Sequence, residues 1–124
     1  MLPSTRLSTL RMLVIDATVP CVMRDSGSVR LFNFLRILLG RRYHVTLAAI
    51  DLDPDDICSL RLNMLGVRVI STSELELSSV SGVCDYNLAM LSRRSVAESW
   101  MQVLRLACPE MPIIFDTVDL HLLR

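Results

Sequence analysis

The chain has 124 residues, enough for one domain with a single core, and it is 52% apolar at a formal net charge of zero. That balance excludes a disordered chain and an electrostatically driven nucleic-acid binder, leaving a soluble, well-buried domain as the expectation. All thirteen cationic side chains are arginine, so no Schiff-base amine and no phosphate-binding P-loop lysine is on offer.

Residues 1–10 are polar and read as a loose lead-in, leaving 11–124 as the domain. Arg11 to Asp16 predicts a buried strand, a continuous apolar run closed by an acid. It is too short for a signal-peptide core, and no later run can span a bilayer. The segment from Asp16 to Pro20 and the loop Arg24-Asp25-Ser26-Gly27-Ser28 then open into a helix over Val29–Leu39. Phe32, Leu35 and Leu39, flanked by Leu31 and Leu38, give that helix its apolar side; Arg30, Asn33 and Arg36 give the wet one, with Gly40 as its cap.

Tyr43 to Ile50 predicts the second strand. Asp53-Pro54-Asp55-Asp56 follows as a helix start, with an aspartate cap, a proline in the first position and acids at the positive end of the dipole. Ile57, Leu60 and Met64 are the expected buried face, and Gly66 ends the helix. Val67 to Ile70 is a third strand, and Ser71 to Gly82 holds one helical turn. Asp85 to Leu91 is a fourth strand, and Arg94 to Cys108 a helix with Ala97, Trp100, Met101, Leu104 and Ala107 on one side. Pro112 to Phe115, closed by Asp116, is a fifth strand. Strands alternating with helices at this spacing mean an α/β fold: a Rossmann-like parallel sheet of about five strands with helices on both faces.

Cys21, Cys58, Cys84 and Cys108 stand far apart, and with only His44 and His121 beside them they give no zinc spacing. They read as buried thiols in a reducing compartment, with Cys21, in a loop, open to exposure, which places the chain in the cytoplasm with the inner membrane surface left open. No metal or resident cofactor is indicated.

A parallel sheet takes its ligand outside the carboxyl ends of its strands, so Asp16 and Asp116 fall on the functional edge. The Ser26-Gly27-Ser28 turn has one glycine and misses the dinucleotide fingerprint. It reads equally as a helix cap or as a cap that also takes an anion, with Arg24 and Arg30 at hand. Asp119 and His121 read as a cap with an exposed imidazole, or as a carboxylate and imidazole for proton transfer. Arg93 and Arg94, after the fourth strand, face either the same cleft or water.

The run from Asp16 through Val19-Pro20, Arg24-Asp25-Ser26-Gly27-Ser28 and Arg30, with Leu65-Gly66-Val67, Leu91-Ser92-Arg93 and Phe115-Asp116-Thr117-Val118-Asp119-Leu120-His121, resembles the N-terminal domain of GT-B-fold glycosyltransferases. The family 4-like enzymes of polysaccharide and O-antigen assembly resemble it most, over nearly all of 11–124. The resemblance implies retaining transfer of a sugar from a nucleotide-sugar donor to a glycan or lipid-linked acceptor, in a cleft between two Rossmann-like domains. This chain would be the acceptor-side domain, incomplete at its C-terminal end and inactive without a donor-binding domain or chain. Gly27 and Ser28 would lie against the donor diphosphate, with Arg24 and Asp25 at the cleft mouth. Asp119 and His121 would meet acceptor or transferred sugar, beside Asp16, Arg93 and Asp116. Where such sequences often carry proline and histidine after the fourth strand, this one has Arg94 and Ser95. Two other readings compete: a non-catalytic α/β binding module, such as the remnant or partner of a split transferase, and a receiver-type signalling domain. The receiver reading lacks its paired acids and its lysine.

Overall fold

The computed structural model describes residues 10–20, 26–53, 56–77 and 85–116. Nine elements alternate along them: β1 (Arg11–Thr18), α1 (Ser26–Gly40), β2 (His44–Asp51), α2 (Ile57–Leu65), β3 (Arg68–Ser71), α3 (Thr72–Leu77), β4 (Leu88–Ser92), α4 (Arg94–Ala107) and β5 (Ile113–Asp116). The five strands form one sheet in the order β3-β2-β1-β4-β5, every neighbouring pair parallel. The fold is therefore α/β and Rossmann-like, as the alternation predicts. Receiver domains set their first strand between the second and third; here β1 lies between β2 and β4, which removes that reading.

β1 is central, and its residues from Met12 to Asp16 are buried without a break. A strand covered on both faces needs such a run rather than alternation. Its side chains divide with period two. Met12 and Val14 join Leu35, Leu38 and Leu62 under α1 and α2, whereas Leu13 and Ile15 join Leu75, Trp100 and Leu104 under α3 and α4. α4 is the most clearly amphipathic helix, and the face expected for it is the one that packs.

Four local expectations are corrected. Ser26, Gly27 and Ser28 are the first turn of α1, not a loop before it. The cap at the far end of α1 is Arg42, at φ 68°, rather than Gly40. Its N–H donates to the Leu39 carbonyl and that of Tyr43 to the Leu38 carbonyl, a Schellman closure built on a non-glycine residue. Gly66 does close α2 in the same manner, at φ 110°.

α2 begins at Ile57 behind Asp56, three residues later than the start expected behind Asp53, and Asp56 makes no side-chain capping bond. The helix is apolar nearly all round, so periodicity could not choose its inner face. Cys58, Ser59 and Leu62 face the sheet. The expected core residues Ile57, Leu60 and Met64 are 60%, 49% and 86% exposed.

Cys58 and Cys108 are buried, as expected, but they are disulfide-bonded rather than free thiols. They lie on opposite faces of the sheet and so are not joined to each other. Spacing missed this because a disulfide partner is chosen by tertiary proximity. Cys21 and Cys84 lie outside the described residues. Among the described residues, no helix is long and apolar enough to cross a membrane.

Candidate functional site at the carboxyl edge

The chain leaves β1 toward β2 and β3 on one side and returns to build β4 and β5 on the other. The two halves of the sheet part between β1 and β4. Crossovers diverge at such a point and leave a crevice above the strand ends, which is where open α/β sheets take ligands.

The strand ends at this crevice carry a polar row. Ile15 is level with Leu91 and Ser92 with Asp116, so Asp16, Ser92 and Asp116 stand side by side across β1, β4 and β5. By the alternation that sends Met12, Val14 and Met90 toward α1, all three point to the α1 side. Asp16 lies within β1, which runs on to Thr18, and its carboxylate is only 1% exposed.

A carboxylate so deeply buried needs a charged partner. Asp16 Oδ1 accepts from the Ala17 N–H at 2.6 Å and from Arg93 Nε at 2.8 Å. The Arg93 side chain remains 23% exposed. Asp16 thus reaches the crevice through Arg93, whose guanidinium it orients.

Arg93 links β4 to α4 and is the N-cap of α4 at φ 86°, ψ 147°. That region belongs almost wholly to glycine, and an L side chain held there costs about 1–3 kcal/mol. The ion pair to Asp16 helps hold it, as do its own N–H donating to the Asp116 carbonyl at 3.2 Å and its carbonyl accepting from the Ala97 N–H at 3.1 Å. Backbone strain at the switch point of a sheet is a mark of a functional position.

A second ion pair stands beside the first. Arg30 Nη1, on the first turns of α1, lies 3.0 Å from Asp116 Oδ1, with the arginine more than half exposed. From this pair a groove of about 630 Å³ runs down between α1 and β5, walled by Phe34, Ile37, Met90, Ile114 and Phe115. The mouth is charged and the walls, apart from Asn33, are apolar, which suits an amphipathic molecule. On the other side of β1 lies a recess of about 380 Å³ lined by Thr18, Val19, Asp51, Asp53 and Asp56.

The expected site residues therefore divide. Asp16, Arg93 and Asp116 come together, joined by Arg30. Ser26, Gly27 and Ser28 begin α1 above the same edge, with their side chains outside the description. Arg24, Asp25, Asp119 and His121 lie outside the described residues. Arg94 opens α4 beside the site, whereas His44 begins β2 at the opposite edge. Ser92 was missed; the apolar run before it ends in a small hydroxyl level with Asp116, a signal readable only once the register is known. Among the described residues, no group of three or more His, Cys, Asp or Glu is arranged to hold a metal ion. Comparison with protein-family models, curated protein sequences and solved structures gave no match.

Proposed function

We propose that the chain is the acceptor-side part of a sugar transferase, presenting an acceptor hydroxyl across a cleft to a nucleotide-activated sugar held by a second domain or chain. The observation that carries this reading is the crevice between β1 and β4, where two guanidinium groups are aimed by carboxylates. Arg93 and Arg30 are placed to meet anionic oxygens, and arginine does this with a fixed fork of donors. The start of α1 adds backbone N–H groups at the same edge. The groove below the Arg30–Asp116 pair takes the apolar part of a lipid-linked acceptor, with its polar end at the pair.

In this reading the chain orients and binds, and the second domain supplies most of the stabilisation of the leaving diphosphate. Asp16 and Asp116 are both engaged with arginine, and among the described residues no histidine stands at the crevice. That favours, as a second reading, a binding module without chemistry of its own. A cytoplasmic setting suits a nucleotide-sugar donor, but the bonded Cys58 and Cys108 fit an oxidising compartment better, since disulfides are rare where thiols are kept reduced.

Titration of uridine diphosphate sugars into the isolated chain tests the division of labour. Weak binding, with transfer appearing only when a donor-binding domain is added, is expected. Tight binding of the donor by this chain alone would overturn it, and binding without transfer in the assembled pair would favour the second reading.

A further inference from the structure

We propose that the outer face of α1 and α2 is a docking surface for an anionic lipid bilayer. The inference goes beyond the transferase reading and stands without it. Although the whole chain is neutral, its charges are segregated: residues 26–50 and 57–73 contain no aspartate or glutamate and six arginines, while Asp51, Asp53, Asp55 and Asp56 are gathered between them, before the start of α2. These two segments supply α1 and α2, which lie side by side on one face of the sheet. Their C-terminal ends touch, since a Cβ at Gly66 would meet Leu39 Cδ2 at 3.9 Å.

Four of the six arginines, Arg36, Arg41, Arg42 and Arg61, are exposed and lie on these helices or just beyond the end of α1. Arg30 is held by Asp116, and Arg68, on β3, alternates with Val69 toward the opposite face of the sheet, which leaves those four. Between them stand apolar tips. Ile57, Leu60 and Met64 recur on one side of α2 at helical spacing, opposite the side that packs on the sheet, and Ile37 is exposed on α1. A helix face that shows apolar tips among arginines matches an acidic bilayer surface: tips enter the headgroup boundary and cations meet the phosphates. Charge complementarity selects the partner, because a bilayer supplies a continuous negative plane. Ile37 also belongs to the wall of the groove that ends at Arg30 and Asp116, so that groove opens beside the docked surface.

The experiment is co-sedimentation of the full chain with vesicles of phosphatidylglycerol and phosphatidylcholine against vesicles of phosphatidylcholine alone. Binding to the acidic vesicles is expected, with loss on neutral vesicles and in about 1 M salt, where screening reaches about 3 Å. Arg41→Glu and Arg61→Glu should each weaken binding at least about fivefold, the loss per surface arginine converted to a ratio. Met64→Ser and Leu60→Ser change exposed side chains and leave the fold intact by circular dichroism, yet should weaken binding by a similar factor. Arg105→Glu, on α4 across the sheet, should leave binding unchanged. Equal binding to neutral vesicles, no binding at all, or equal loss with Arg105→Glu would overturn the proposal. So would a dimer in sedimentation velocity that Met64→Ser dissolves, which would assign the face to a second copy of the chain.

Discussion

Replacing Arg93 by methionine and by glycine separates two energies that the structure places on one residue. Methionine removes the guanidinium and strands the Asp16 carboxylate, which is 1% exposed. Breaking a buried pair from one side costs about 3–5 kcal/mol, and the Ala17 N–H that still donates to Asp16 brings the expectation to about 3 kcal/mol. Glycine strands the same charge but relaxes the backbone at φ 86°. Relief of about 1–3 kcal/mol, less about 0.5–1 kcal/mol for the freer unfolded chain, leaves Arg93→Gly about 1 kcal/mol more stable than Arg93→Met. Asp16→Asn is milder, at about 1–2 kcal/mol, because the guanidinium it strands reaches water. Part of the methionine loss returns on acidification, since a protonated Asp16 carries no stranded charge. Urea unfolding of the oxidised protein reads all three variants, followed by the fluorescence of Trp100, the chain's one tryptophan. Equal midpoints for the methionine and glycine variants would refute the strain. Variants all within about 0.5 kcal/mol of the parent would refute a stabilising pair.

Other expectations follow from packing and caps. Gly66→Ala, at φ 110°, should lower stability by about 1–2 kcal/mol, whereas Arg42→Gly should raise it by up to about 1 kcal/mol; thermal unfolding checks both. Leu35→Ala and Leu104→Ala empty opposite faces of the sheet, so each should cost about 2–5 kcal/mol and the double variant their sum, by urea titration. Reduction of the bonds at Cys58 and Cys108 should lower the thermal midpoint reversibly; alkylation of the untreated native protein that labels either residue would contradict their bonded state.

Much of the fold was legible because the chain states it locally. Each strand is a short apolar run ended by a polar residue, and α4 has one apolar side only, so the strands followed from their runs and the face of α4 from its period. α2 has apolar residues on two sides, and only packing against the sheet decides between Leu62 and Met64. The α1 cap was misplaced for a related reason: Arg42 carries no local sign of positive φ, while Gly40, two residues earlier, does. At the site, Asp16 and Arg93 were each readable as polar ends of apolar runs. Their pairing spans 77 positions and depends on β4 lying beside β1, so no local pattern announces it. The exposed stripe of α2 was visible as periodicity and was assigned to the wrong side. The arginines around its C-terminal half, also plain in the sequence, argue that the stripe has a surface role.

Amide chemical-shift mapping of the isolated chain with a uridine diphosphate sugar at millimolar concentration tests the central claim most directly, that ligand is taken at the carboxyl edge between β1 and β4. Shifts are predicted at Ala17, Thr18, Ser28, Arg30, Arg93, Arg94 and Asp116. Shifts confined to the opposite edge, at Tyr86, Asn87, Glu110 and Met111, or no shifts at saturating ligand, would contradict it.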